Sequence, residues 1–379
     1  GLTSFGGPVA HIAYFRDRFV TRLGWLDEAS FADLVALCQF LPGPASSQLG
    51  MAIGLGRAGI GGALAAFAGF TAPSALAMAG FGLFVLAAGP AGIDRGILAG
   101  LAIVALAVVA EAVRAMALSL AKGRLHAAIA LIAAAAALAL PSAPVQLAIL
   151  VAAALAGWRL DPAAPPPATA SARTPLSRRA GAGFLAVFFG LLIVLPLLAA
   201  STHSPVAAMI AAFYRSGALV FGGGHVVLPL LEGAVVAPGL VPDAAFVAGY
   251  GVVQAMPGPL FSFAAFLGVV AGIPDPAAGA LIATLALFAP ALLLVLGTLP
   301  FWLQLRAVPA CRKALAGVNA AVVGLLGAAL YDPVFVTAVH APRDLAAAVL
   351  CYAALTAGRV PAWILVPIAR DGGHLLLGR

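Results

Sequence analysis

Charge is the scarcest component of this sequence. Only 9% of its 379 residues are Asp, Glu, Lys or Arg, against roughly 25% in a soluble domain, which excludes a globular protein with an ordinary water-facing surface. Cysteine is nearly absent, and Cys38, Cys311 and Cys351 show no paired spacing. That excludes a disulfide framework and a zinc site built on cysteine. Catalytic constellations are missing as well: there is no HExxH, no phosphate-binding glycine loop, no supported Ser/His/Asp set and no paired intramembrane aspartates. No catalytic residue, cofactor or metal ligand is therefore expected, and without an ATP site any transport must draw on an ion gradient or the membrane potential. Acidic residues number 13 against 20 Lys and Arg, for a net charge of +7. Most arginines stand at the ends of apolar runs, where basic residues set orientation, so the excess does not indicate nucleic acid.

What fills the chain is hydrocarbon. Hydrophobic residues make up 63% of it and the mean hydropathy is +1.11. Apolar runs near the length of a bilayer span follow one another, and their alanine-rich faces allow close helix–helix contact. The expected class is an all-α polytopic protein of the lipid bilayer. Full spans are expected over Gly61 to Ala88, Ile97 to Ala121, Leu125 to Leu140, Ala143 to Trp158 and Phe184 to Ala200.

Two interruptions organise the rest. Gln39-Phe40-Leu41-Pro42-Gly43-Pro44 returns as Gln254-Ala255-Met256-Pro257-Gly258-Pro259. Proline removes a backbone donor and restricts the residue before it. In lipid such a break survives only against protein or a wet cavity. Other anchors repeat in the same order: Phe5-Gly6-Gly7 with Phe221-Gly222-Gly223, Ala72-Pro73 with Ala289-Pro290, and Leu98-Ala99-Gly100 with Leu315-Ala316-Gly317. Including the Pro-Gly-Pro pair, the offsets are 216, 215, 217 and 217 in chain order, so the chain is an internal repeat. Two matched breaks in two matched halves point to a transporter's midplane binding site. The short apolar pieces Phe31 to Leu41 and Ala45 to Leu55 read as a re-entrant hairpin or a broken helix.

The repeat divides the chain into a first copy over 1–158, a Pro/Ala/Arg linker over 159–183 that should be exposed and poorly ordered, an extra span over 184–204, and a second copy over 205–379. The apolar stretch Pro205 to Ser216 precedes the second Phe-Gly-Gly and has no equivalent before the first, so an N-terminal segment is expected to precede Gly1. The loop after Phe-Gly-Gly carries Arg16, Arg18 and Arg22 in copy one. The matching stretch in copy two has no Lys or Arg but contains Glu232 and Asp243. Before Leu-Ala-Gly the bias reverses, from Arg95 alone to Arg306, Arg312 and Lys313. By the positive-inside rule the copies are inverted, with the linker in the cytoplasm.

After each Pro-Gly-Pro a helix restarts with unpaired N–H groups and a positive dipole end. Ser46, Ser47 and Gln48 stand in the first turn of one restart and Ser262 in that of the other. Donors at two helix starts suit a tetrahedral oxyanion. The alternative is that the prolines only kink helices and the serines bond their own backbone. Candidate substrate-binding residues are Gln39, Pro42, Gly43, Pro44, Ser46, Ser47, Gln48, Gln254, Pro257, Gly258, Pro259 and Ser262. The second set of unwound points adds Gly6, Gly7, Gly222, Gly223 and His225, with Arg215 as a nearby cation; close packing is the competing role for these glycines. Glu111 and Arg114 lie three apart on one helical face, where they either neutralise each other or line the path and couple protons.

The anchors closely resemble the chromate ion transporter family in its long, two-domain form. The matching pieces are Gly1 to Pro8 (GLTSFGGP), Gln39 to Gln48 (QFLPGPASSQ), Phe221 to Leu231 (FGGGHVVLPLL) and Gly249 to Phe263 (GYGVVQAMPGPLFSF). The resemblance covers nearly the whole chain, and Val241-Pro242 departs from Trp25-Leu26 of copy one. It implies chromate efflux across the bacterial inner (plasma) membrane, conferring chromate resistance, with proton exchange and with sulfate as the chemical mimic. Alternatives are a sulfate or other oxyanion transporter working by import or exchange, and a membrane-embedded enzyme acting on a lipid or peptide, for which no nucleophile or metal set is visible. A homodimer is left open, since no feature of the sequence bears on it.

Overall fold

A computed structural model describes residues 4, 7–92, 95–140, 143–160, 176–220, 227–305, 308–358 and 360. Among the described residues there is no strand. The first half comprises α1 (Gly7–Arg16), a π-helical turn (Asp17–Arg22), α2 (Glu28–Phe40), α3 (Ala45–Gly92), α4 (Arg95–Leu120), α5 (Gly123–Ala139) and α6 (Ala143–Leu160). α7 (Arg178–Thr202) and α8 (Pro205–Leu219) follow. The second half continues with α9 (Val227–Val235), α10 (Asp243–Ala255), a 3₁₀ turn (Leu260–Ser262), α11 (Phe263–Ala271), α12 (Pro276–Thr298), a 3₁₀ turn (Leu299–Phe301) and α13 (Trp302–Leu305). It closes with α14 (Pro309–Ala329), a π-helical turn (Leu330–Phe335), α15 (Val336–Ala338) and α16 (Pro342–Thr356). The chain is an all-α polytopic membrane protein. Four of these helices are long and apolar enough to cross a membrane by length and composition: α3, α7, α12 with its 3₁₀ extension, and α14 with the start of its π-turn.

The sequence explains where the helices start. The Asp27 carboxylate accepts the Ser30 N–H at 2.7 Å, and Asp275 accepts from the Ala277 and Ala278 amides. These side chains satisfy donors that the helix itself leaves open. Pro205, Pro276, Pro309 and Pro342 occupy first-turn positions, where the missing N–H costs nothing. Each expected span coincides with a helix, Ala121 and Leu140 falling one residue beyond α4 and α5, and α7 begins earlier than expected, at Arg178. The centre of the linker lies outside the described residues.

α3 is not one straight rod. Its 48 residues would extend about 70 Å, more than twice a hydrocarbon core of about 30 Å. Gly59 sits within it at φ 61°, in the left-handed region. Gly54 and Gly62 are in backbone contact, so that a Cβ on either would collide with the other's carbonyl; two turns apart on a straight helix they could not meet. The chain therefore turns back at Gly59, giving a short leg from Ala45 and a long leg to Gly92. The second half makes the same turn with a true break. Gly272, at φ 65°, caps α11, and Gly268 meets Gly279 of α12 backbone to backbone. The chain breaks at Pro-Gly-Pro between α2 and α3, where a re-entrant hairpin or a broken helix is expected, and the turn back comes later, at Gly59 and at Gly272.

Glycine also sets the packing between halves. α14 lies against α5 and α6 from the first half. Gly317 approaches the Ala153 carbonyl and the Gly157 backbone, and Gly324 approaches the Ala130 carbonyl. In lipid, helices associate through such close backbone approach and dispersion contacts. α12 and α14 are accordingly buried along much of their length. α5 and α7 face outward, with Leu131, Ile132, Ile193 and Leu197 exposed as a lipid-facing surface requires.

Candidate functional site

Both Pro-Gly-Pro turns interrupt helices as the sequence implies, and each is held by the opposite half. α2 ends at Phe40, Leu41 is extended, and α3 restarts at Ala45. α10 ends at Ala255, Met256 is extended, and the chain restarts through the 3₁₀ turn before α11. Gly43 and Gly258 have φ of 124° and 110°, a backbone that side chains rarely adopt. The Gly43 N–H donates to the Val220 carbonyl at 2.6 Å, and the Gly258 N–H donates to the Ser4 carbonyl at 2.8 Å. Val220 directly precedes Phe221-Gly222-Gly223, and Ser4 directly precedes Phe5-Gly6-Gly7. The glycines also pack reciprocally. A Cβ on Gly43 would lie 3.2 Å from Ala291 Cβ, and one on Gly258 would lie 2.7 Å from Ser74 Oγ. Ala291 and Ser74 each follow an Ala-Pro anchor of the other half. Paired contacts of this kind, with the partners exchanged, are what a pseudo-two-fold relation produces.

These two amides are therefore spent on protein carbonyls. What remains for a ligand is in the side chains, and there the halves differ. Ser46, Ser47 and Gln48 are buried in the first turn of α3. Gln48 Nε2 donates to the Pro42 carbonyl at 2.7 Å, bracing the turn from within. Ser47 Oγ and Gln48 Oε1 are buried with no hydrogen-bond partner among the described residues, and so are Thr71 Oγ1 and His11 Nδ1. His11 Nε2 donates to the Ser4 carbonyl at 2.9 Å, the same oxygen that receives Gly258, and its ring meets Phe70 edge-on at 5.2 Å. In the second half Ser262 lies in the 3₁₀ turn rather than in an α-helical first turn, and its hydroxyl donates to the Pro259 carbonyl at 2.7 Å.

The other expected residues are placed as follows. Pro44 and Pro259 are buried, and Pro42 and Pro257 half-buried, at the two turns. Gln39 is exposed on α2. Gln254 lies in the last turn of α10, and Gly7 begins α1. Gly6, Gly222, Gly223 and His225 lie outside the described residues. Arg215 is exposed on α8. Arg114 and Glu111 form a two-pronged ion pair at 2.7 and 2.8 Å on α4, with side-chain exposures of 48% and 29%.

Sequence reasoning passed over Thr71, Ser74 and Ser4. All three adjoin repeat anchors, and the signal was available: Thr71 and Ser74 flank Ala72-Pro73, where the second copy has Phe288 and Ala291 around Ala289-Pro290.

Comparison with known proteins follows the same two halves. The Chromate transporter family matches residues 1–158 and 207–371. The chain belongs to this family. It is 29% identical to the chromate transport protein of Pseudomonas aeruginosa over 365 residues, covering 90% of this chain and 80% of that one. It is 27% identical to the chromate transport protein of Cupriavidus metallidurans, with 87% and 79% covered. It is 28% identical to a probable chromate transport protein of Synechococcus elongatus, with 87% and 81% covered. No solved structure matches the chain.

Proposed function

We propose that this protein is a secondary active transporter that carries chromate out of the bacterial cytoplasm across the inner membrane, driven by protons or the membrane potential, and so confers chromate resistance. The family match over both halves and the names of its relatives support chromate as cargo. The structural observation that carries the reading is the pair of broken helices, each docked through its Pro-Gly-Pro glycine onto the other half. On this reading residues 1–158 and 205–379 are two repeats of opposite orientation, joined by the linker 159–183 and the extra span 184–204. Each turn is anchored in the repeat it does not belong to, so a rocking of one repeat carries the turn of the other with it. That is how alternating access is set around a site shared by both. Sulfate, as a tetrahedral dianion, competes for the same donors.

The test is uptake of labelled chromate and sulfate into everted membrane vesicles. Chromate should accumulate when a pH gradient or potential is imposed and leak back when it is collapsed. Uptake of sulfate without chromate, or chromate uptake indifferent to any gradient, would refute the proposal. Orientation has its own check: single cysteines in place of Arg18 and Asp243 should react with an impermeant thiol reagent from opposite membrane faces. Labelling from one face would remove the inverted arrangement.

A further inference from the structure

The two re-entrant turns follow one plan and differ in chemistry. In the second half the facing glycines are Gly268 and Gly279. Seven residues before the first and nine after the second stand Phe261 and Phe288, whose rings meet at 5.8 Å. In the first half the facing glycines are Gly54 and Gly62, and the same two counts reach Ser47 and Thr71, while the Pro-Gly-Pro anchors, one residue out from that count, set Ser47 against Ser262. Measured from the glycine contact, these positions lie about 10 Å and about 13 Å along two legs of one hairpin. Where the second half has the Phe288 ring the first half has the Thr71 hydroxyl, and where the second half has Ser262, whose hydroxyl is taken up by Pro259, the first half has Ser47. Ser47 and Thr71 are each 2% exposed, and both hydroxyls lack a hydrogen-bond partner among the described residues.

Buried hydroxyls are normally paired, and helical Ser and Thr usually bond back to their own backbone. The second half obeys this: Ser262 donates to the Pro259 carbonyl, Thr284 to the Ala280 carbonyl and Thr298 to the Leu294 carbonyl. Ser47 and Thr71 do not. Ser47 also stands in the first turn of α3, beside N–H groups that have no acceptor within the helix.

The geometry points to an oxyanion subsite between the Ser47 and Thr71 hydroxyls at the start of α3, with no counterpart in the second half. This rests on the transport reading above and narrows it. The ligand is a tetrahedral oxyanion, to which two hydroxyls and the α3 amides donate. Gln48 is a positioning residue that holds the turn through the Pro42 carbonyl. Phe261 and Phe288, with rings tilted at 55° to each other, occupy the second half beside its restart, and the Ser262 hydroxyl is already spent on the Pro259 carbonyl, which leaves Ser262 out of the ligand set.

The experiment is equilibrium binding of radiolabelled chromate and of radiolabelled sulfate to the purified full chain, together with its thermal unfolding in ligand-free detergent. Ser47→Ala and Thr71→Val should each weaken binding about tenfold or more, as loss of a hydrogen bond to a charged group implies. Thr71→Phe, which installs the residue of the second half, should abolish it. Ser262→Ala should stay within about twofold of the parent. Thr71→Val keeps the side chain's shape and removes an unpaired buried hydroxyl, so its unfolding temperature without ligand should equal or exceed that of the parent. That pattern, weaker binding without lost stability, separates a ligand contact from a structural one. Binding by the parent with Ser47→Ala and Thr71→Val unaffected, or with Ser262→Ala impaired equally, overturns the subsite alone. A parent that binds sulfate and not chromate, with the same variant pattern, keeps the subsite and overturns chromate as cargo. A parent that binds neither overturns both.

Discussion

Replacing Gly258 by Ala tests the docking of one half on the other most directly. The added Cβ meets two obstacles. First, φ of 110° is a conformation that a side chain resists, with a cost of about 1–3 kcal/mol. Second, the Cβ would stand 2.7 Å from Ser74 Oγ, 3.1 Å from Ser74 Cβ and 3.3 Å from the Phe70 carbonyl, all on the buried face of α3. Overpacking of that kind costs about 1–3 kcal/mol more. The sum is about 2–6 kcal/mol, to be compared with a total stability of about 5–15 kcal/mol for a typical domain. Adding Ser74→Ala removes the nearest atom and leaves the backbone strain. The double variant should therefore recover about 1–2 kcal/mol of what Gly258→Ala loses, as overpacking is relieved. The assay is equilibrium unfolding of the purified protein in mixed micelles, with the four proteins of the cycle measured side by side. If Gly258→Ala unfolds like the parent, or if Ser74→Ala fails to restore any stability to it, then the turn is not packed on α3 as described and the docking argument falls.

Other outcomes can be stated more briefly. Glu111→Ala or Arg114→Ala should each lower the yield of folded protein in the membrane, because either leaves one charge on apolar α4 without the partner it has now. The double replacement Glu111→Gln with Arg114→Gln should restore the yield and leave chromate uptake unchanged, and failure to do so would give the pair a role beyond mutual neutralisation. Trp302 Nε1 donates to buried Asp33 Oδ1 at 3.0 Å and its ring meets Phe40 at 5.4 Å, joining α13 to α2. Trp302→Phe should cost about 1–3 kcal/mol through the lost hydrogen bond to the carboxylate, read as a lower unfolding midpoint. Gly54→Val should block the approach of Gly62 and abolish transport, while Gly56→Val, at a position with open space around it, should be tolerated in an uptake assay.

The sequence by itself determined the membrane class, the two breaks and their repeat. These are set locally: hydropathy over about 20 residues, the missing N–H of proline and the capping carboxylates of Asp27 and Asp275 act wherever the chain goes. Tertiary structure decided what those features touch. Pro-Gly-Pro at 42–44 and 257–259 announces a helix stop, but nothing in the local sequence says that Gly43 will bond Val220 or that Gly258 will bond Ser4, some 180 and 250 residues away. The burial that leaves Ser47 and Thr71 unpaired, and the turn at Gly59 that brings their legs together, likewise depend on which backbone approaches which. Close contact between glycines is a property of two segments at once, and a single strand of letters shows only that each could permit it.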